Sequence, residues 1–272
     1  MSRVDGKIGI VTGGTQGLGA AVARRLAESG AAGLITCGRN SAKGAAVAKS
    51  ITAETGCPVH FVVADLASVA DCRAVVESTD HAFGRVDMVV NAAGITDRGD
   101  ILTTDEALFD RMFAINTRAP FFLMQEAMRR MIRDRSEGAI VNIGSAAAFS
   151  GQPFICAYSA SKGALATLTR NVAFAAIKNR IRVNQLNIGW MASDGEDHIQ
   201  REYHGADPNW LEGVAAEQPF GRLLSPAEVA KAVNFLLSDE SGMMTGAVIH
   251  FDQSVWGAYP SAPPVPAARL TL

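Results

Sequence analysis

Residues 8–12 form a short β-branched run that leads without a break into Gly13, Gly14, Thr15, Gln16, Gly17, Leu18 and Gly19. Beyond the glycines, Leu18, Val22 and Leu26 recur every four residues on an alanine-rich background, and Gly30 stands where a helix would stop. The order strand, glycine turn, helix admits few folds. Glycines at such a turn allow unusual dihedrals and let a pyrophosphate approach backbone N–H groups at a helix N-terminus, where the helix dipole favours an anion. A glycine cluster alone is equally a flexible loop; its place between a strand and a helix makes Gly13, Thr15, Gln16, Gly17, Leu18 and Gly19 candidate nucleotide contacts.

With 272 residues, 48% of them hydrophobic and no Pro/Gly/Ser linker before the C-terminus, the chain reads as one α/β domain over residues 1–253 with an Ala/Pro-rich tail, 254–272. A net charge of -2 provides neither a basic stripe for nucleic acid nor a polybasic membrane patch. Cys37, Cys57, Cys72 and Cys156 are scattered without CxxC spacing, as expected of core residues in a reducing compartment. No run is apolar for long enough to be a signal or a membrane span, so a cytoplasmic protein is expected. The five histidines lack metal-ligand spacing, and no metal is expected.

Further strands are expected at 33–37, 59–64, 86–90, 139–144, 182–186 and 247–251. The second ends at Gly38, Arg39 and Asn40, about twenty residues past the glycines, where a ribose-reading group belongs. No carboxylate stands there. The third ends in Asp65, placed either to accept from an adenine amino group or to cap the next helix. Small residues follow the fourth, in Asn91, Ala92, Ala93 and Gly94. Residues 105–131 show helical spacing through Phe109, Met112, Phe113 and Ile115, and Asn116 within them is a poor helix former with a possible site role.

The chemistry lies between Ser145 and Lys162. Tyr158 and Lys162 are four residues apart in an alanine-rich run, so on a helix they share one face. An ammonium there would favour the tyrosinate and lower a phenol pKa toward the range useful for proton transfer. Ser145, after its strand, can donate to an oxygen that gains charge. Residues 190–221 lose periodicity and read as a mobile lid carrying Trp190, His198, Tyr203, His204 and Trp210. Ser225, Pro226 and Glu228 then form a capping box opening a helix.

Taken together, TGGTQGLG at 12–19, Asp65, NAAG at 91–94, Asn116, Ser145 and YSASK at 158–162 resemble the short-chain dehydrogenase/reductase family in order and spacing. The resemblance implies a single doubly wound Rossmann domain, with helices on both faces of a parallel sheet. It implies Tyr158 as general acid or base, Lys162 lowering its pKa and binding the nicotinamide ribose, Ser145 orienting the carbonyl, and Asn116 holding a water that links Lys162 to solvent. Arg39, Asp65, Leu66, Asn91, Gly94, Gly189, Met191 and Ser193 join the glycine turn as cofactor contacts.

The family usually has Pro-Gly where this chain has Ile188 and Gly189, which predicts a less pre-organised loop. The expected function is NAD(P)-dependent interconversion of a secondary alcohol and a ketone, a small molecule. The alternatives are a catalytically idle cofactor-binding sensor or scaffold, and an epimerase of the related longer family, disfavoured by its glycine spacing. Gly38 and Arg39 favour NADP over NAD, with NAD still possible: the position lacks a carboxylate, and a guanidinium pairs with a 2'-phosphate. Resemblance also implies a homotetramer.

Overall fold

The structure, a computed structural model, describes residues 2–255. Seven strands form one parallel sheet in the order β3-β2-β1-β4-β5-β6-β7: β1 Ile8–Thr12, β2 Gly33–Gly38, β3 Val59–Val63, β4 Met88–Asn91, β5 Ala139–Ser145, β6 Arg182–Ile188 and β7 Val248–Phe251. The helices are α1 Gly17–Glu28, α2 Ser41–Thr55, α3 Val69–Phe83, α4 Glu106–Phe113, α5 Ala119–Asp134, α6 Cys156–Ala176, α7 Asp194–His204, α8 Trp210–Glu217 and α9 Pro226–Leu237.

Strand residues alternate between two cores, because successive side chains on a strand point to opposite faces. Val11, Leu34, Val90, Val141 and Leu186 pack with Val22 and Leu26 of α1, Ile51 of α2 and Val229 and Val233 of α9. Their neighbours Ile10, Ile35, Val89, Ile140 and Val183 pack on the other face with Val75 of α3, Leu123 and Met124 of α5 and Ala173 of α6. Burial on both faces explains the continuous apolar runs of the central strands. The strand order reverses between β1 and β4, and a crevice outside that switch point is where a doubly wound sheet binds its ligand. Thr12, Asn91 and Ser145 end the three strands there.

The structure differs from the sequence reading in three elements. The long helix expected over 105–131 is α4 and α5 joined through one π turn, Ala114–Arg118, and Asn116 lies in that turn. The stretch 190–221 is not irregular, since it holds α7 and α8. No residue of α7 is buried, so it carries no apolar stripe from which a period is legible. Finally, β6 runs on through Ile188, paired with Phe251, and Gly189 N–H donates to the Phe251 carbonyl at 2.9–3.1 Å spacing typical of a ladder, here 3.0 Å. Sheet pairing thus holds the backbone where the family's proline would. A side chain at Gly189 would have to displace that of Asp252, since its Cβ would lie 2.1 Å from Asp252 Oδ1. The capping box at Ser225 and Glu228 is present at the start of α9. Of the tail, residues 256–272 lie outside the described residues.

Candidate active site

The glycine turn is built for close approach. Gly13 has φ 72°, and a Cβ on it would stand 3.0 Å from Ala93 Cα, so the turn touches the loop after β4. Gly19 admits no side chain, because its Cβ would fall 2.2 Å from the Gly13 carbonyl oxygen. Gln16 is the N-cap of α1 and provides no side-chain cap, which leaves the first-turn N–H groups available to an anion. Thr12 adds a contact that sequence reading missed. Its Oγ1 accepts from Ala92 N and Ala93 N, both at 3.0 Å, and so fixes the NAAG loop against the end of β1. The segment after β6 closes over the same turn: Ser193 caps α7, with Oγ accepting from Glu196 N at 3.2 Å, and a Cβ on Gly17 would lie 3.9 Å from Ser193 Cβ. Met191 is bridged to Leu224, with Ala192 N donating to Leu224 O at 2.8 Å.

Thr15, Gln16, Arg39, Asn40 and Lys43 line a cleft beside the turn. Asn40 spends its Oδ1 capping α2 on Lys43 N, 2.9 Å away. Lys43, overlooked in the sequence, is a second cation near Arg39; its place in the first turn after a capped Asn40 is the signal that could have found it. Asp65 is exposed and holds its own loop, accepting from Ala67 N through Oδ1 at 3.0 Å, and the cap of α3 is Ser68, not Asp65. Leu66 is buried. Asn91 turns inward: its Nδ2 donates to Asn142 Oδ1 at 2.7 Å, while its buried Oδ1 has no protein partner.

Ser145, Tyr158 and Lys162 converge. Ser145 ends β5, with Oγ accepting from Ala147 N at 3.1 Å, and also hydrogen-bonds Tyr158. Tyr158 is in the first turn of α6, and one turn later Lys162 places Nζ 5.8 Å from its ring centroid. Lys162 is buried and donates to the Ile143 carbonyl at 2.9 Å. Gly94 lies against this group: a Cβ there would stand 3.2 Å from Asn116 Oδ1 and 3.4 Å from Lys162 Nζ. The Asn116 side chain clamps the loop in turn, with Nδ2 donating to Ile95 O and Oδ1 accepting from Ile95 N, both at 3.0 Å, and Nδ2 also donating to Ser161 Oγ at 3.1 Å.

The electrostatics correct one expectation. Burial raises the Tyr158 pKa above that of an ordinary phenol, and the hydrogen bond from Ser145 opposes the shift only in part. Burial pushes Lys162 down to about 8. Desolvation is the largest effect on Tyr158 and Lys162 is not among the groups that shift it, so the tyrosine is held as the phenol.

Beneath the site runs a chain of buried amides and hydroxyls. Asn142 Nδ2 donates to Thr169 Oγ1 of α6 at 2.9 Å, Thr169 Oγ1 to Gln185 Oε1 at 3.1 Å, and Gln185 Nε2 to Asn187 Oδ1 at 2.7 Å. The amide pair fills the space beside Gly144, where an added Cβ would meet Asn187 Oδ1 at 2.0 Å. The chain pins α6 to β5 and β6 at one rotation about its axis, which sets the faces of Tyr158 and Lys162.

In the segment after β6, Trp190 and Trp210 stack with centroids 6.2 Å apart, and their Nε1 groups donate to Glu196 and Asp197 of α7, each at 2.8 Å. Phe149, in the loop between β5 and α6, meets His250 edge-on. Among the described residues no group of three or more His, Cys, Asp or Glu is placed to hold a metal, and no helix is long and apolar enough to cross a membrane.

A doubly wound sheet with a glycine cradle at its switch point and a Ser-Tyr-Lys group beside it defines a dinucleotide-dependent oxidoreductase. The family model described as enoyl-(acyl carrier protein) reductase matches residues 13–254. The chain is 36% identical over 249 residues to an uncharacterized oxidoreductase of Thermotoga maritima, covering 91% of this chain and 96% of that one. It is 33% identical over 247 residues to the NADP-dependent (R)-specific alcohol dehydrogenase of Lentilactobacillus kefiri, covering 90% and 94%. The solved Pseudomonas aeruginosa RhlG/NADP active-site complex superimposes with a TM-score of 0.83 at 30% identity, covering 92% of this chain and 96% of that one. The protein belongs to the short-chain dehydrogenase/reductase family and is an oxidoreductase.

Proposed function

We propose that the protein interconverts a secondary alcohol and a ketone, with Tyr158 as general acid or base, and that it uses NADP(H) in preference to NAD(H). The convergence of Ser145, Tyr158 and buried Lys162 carries the reading. The glycine cradle fits the cofactor, since a side chain at Gly19 would collide with the turn that receives it and one at Gly13 would press on Ala93 in the facing loop. Gly13, Thr15, Gln16, Gly17, Leu18 and Gly19 would hold its pyrophosphate side, Asp65 and Leu66 its adenine, and Asn91, Gly94, Gly189, Met191 and Ser193 its nicotinamide half. When bound, the nicotinamide donates or accepts the hydride.

The rest is done by the chain. Ser145 orients the substrate oxygen by hydrogen bonding, and Tyr158 exchanges a proton with that oxygen. Held as the phenol, Tyr158 is ready to protonate an oxygen that gains charge in carbonyl reduction. In the oxidative direction the Lys162 charge stabilises the tyrosinate, to an extent that grows as water is excluded. The Asn116 side chain is committed to Ile95, so it supports proton relay from Lys162 by shaping the loop.

Arg39 and Lys43 support NADP: two cations and no carboxylate line the cleft beside the turn. The (R)-specific alcohol dehydrogenase relative is NADP-dependent by name, in agreement. The test is kcat/KM for secondary alcohols and ketones with both cofactors, in the wild type and in Gly38→Asp combined with Arg39→Ile. A wild type that prefers NADP and a double variant that shifts toward NAD support the reading. Cofactor binding without turnover of any alcohol or ketone would make the protein the idle sensor instead.

The same reading includes a cytoplasmic homotetramer. Phe109, Phe121 and Phe174, on α4, α5 and α6, are exposed, the last at 80%, and helix pairing across a two-fold axis would cover them. A monomer in light scattering at micromolar concentration would refute the assembly.

A further inference from the structure

We propose that the substrate carries an anionic group, a carboxylate or an equivalent oxyanion, and that Arg98 binds it beside Tyr158. This rests on the oxidoreductase reading and names the substrate class it leaves open. The loop after β4 is strapped by its backbone to the segment entering α6: Gly99 N donates to Phe154 O at 2.9 Å, and Cys156 N donates to Gly99 O at 3.1 Å. Arg98 is therefore held beside the residues that lead into Tyr158. Its guanidinium lies over the Phe154 ring, 5.6 Å from the centroid, and is braced on two sides. Nε donates to His204 Nε2 at 3.1 Å, and Nη1 donates to Thr96 O at 2.8 Å.

What the cation lacks is an anion. Among the described residues Arg98 forms no salt bridge, although most arginines of the chain that are fixed this firmly pair with a carboxylate, as Arg133 does with Asp80 and Arg222 with Glu228. Glu196, which acts on Tyr158, and Asp97, next to Arg98 in the chain, have donors of their own. Glu196 accepts from Trp190 Nε1 at 2.8 Å and Gln200 Nε2 at 2.7 Å, and Asp97 accepts from the Tyr203 hydroxyl at 3.4 Å. Nη2 has no hydrogen-bond partner among the described residues. Burial and the Glu196 carboxylate raise the Tyr158 pKa, and the Arg98 guanidinium, within electrostatic reach of the same hydroxyl, opposes them by a smaller amount. A guanidinium laid on an aromatic face, held by neutral acceptors and keeping donors open, is pre-organised for an oxyanion in two-point geometry. His204 closes α7 and Phe154 precedes α6, so the site forms only where α7 meets the catalytic helix.

The experiment compares keto acids with their methyl esters at three spacings of ketone from carboxylate, 2-oxopentanoate, 3-oxobutanoate and 4-oxopentanoate, and dihydroxyacetone phosphate with dihydroxyacetone. Wild type, Arg98→Gln and Arg98→Lys are assayed, and each acid is titrated calorimetrically into the protein with oxidised cofactor, with which a ketone cannot react. Loss of one charge-assisted pair corresponds to about a tenfold to hundredfold change, so the wild type should favour one acid over its ester by that factor in kcat/KM. Arg98→Gln should lose that preference, with the loss at least about tenfold greater on the acid than on the ester, and Arg98→Lys should keep part of it. The matched pairs tell a carboxylate substrate from a phosphate one. Esters turned over as well as their acids, or acid and ester falling equally in Arg98→Gln, would overturn the anion site and leave the oxidoreductase reading standing. If no carbonyl is turned over, that reading fails, and acid binding lost in Arg98→Gln decides for the site while absence of acid binding decides against it.

Discussion

Lys162 donates from Nζ to the carbonyl oxygen of Ile143 at 2.9 Å, two residues before Ser145 on the same strand. One hydrogen bond therefore ties the ammonium on α6 to the strand that carries the serine, and the two groups that address Tyr158 share a single mechanical reference. A substitution that disturbs the bond moves both.

Tyr158→Phe keeps the ring's packing and removes the proton. Turnover should fall by roughly 10²- to 10⁴-fold, the usual range for a general acid or base, while cofactor affinity stays near the wild-type value. Fluorescence titration with reduced cofactor beside steady-state kinetics measures both; a variant that keeps more than roughly a tenth of wild-type kcat would remove Tyr158 from the chemistry.

The depressed pKa of Lys162 predicts a pH signature in stability. Its folded-state value is about 8, against 10.5 for a lysine in water, because burial penalises the charge. Between these values the unfolded chain binds more protons than the folded one, so the burial penalty, fully present below about pH 8, is relieved as pH rises toward 10.5. The wild type should gain stability relative to Lys162→Met over that window. Urea denaturation of the two proteins from pH 7 to 10 checks this; a constant difference would mean that Lys162 does not titrate there.

Thr12→Val should weaken cofactor binding without touching any catalytic group. The substitution is nearly isosteric but leaves Ala92 N and Ala93 N without their acceptor, each at a cost of about 1–3 kcal/mol if it stays buried. The expected result is a lower melting temperature and a raised Kd for cofactor, with kcat at saturation little changed. Unaltered Kd would show that the NAAG loop holds its place without Thr12.

Gly144→Ser should destabilise by about 1–3 kcal/mol, the usual cost of overpacking, because its Cβ would meet Asn187 Oδ1 at 2.0 Å. Combining it with Asn187→Ala should recover part of that loss. Additive effects in the double variant, read from denaturant midpoints, would mean that the two positions do not compete for the same space.

The central strands were legible because burial on both faces makes them continuous apolar runs, and α9 because Ser225 and Glu228 mark its start. Tyr158 and Lys162 were legible because one helical turn separates them in sequence. Helix α7 was not, since an exposed polar helix has no stripe, and its clearest mark is the Ser193 cap. Arg98 and Thr12 escaped notice for another reason: their partners, His204 and Ala92, come from distant parts of the chain. The direction of the Tyr158 shift depends on how much water the fold removes, a quantity that residue spacing does not encode.

The π turn at Ala114–Arg118 bears on how this site can be inherited. A π turn differs from an α turn by a count of residues, and each residue of a helix advances the next by roughly 100° about its axis. Substitutions can change what Asn116 is, but only an insertion or a deletion can change where it stands relative to α5. Loss of one residue between 114 and 118 would rotate one side of that helix against the other and carry Asn116 away from Ile95, whose main chain it grips at both N–H and carbonyl. The segment is thus a place where length, ahead of residue identity, is the heritable trait, and descendants of this chain should tolerate indels in surface loops far sooner than here.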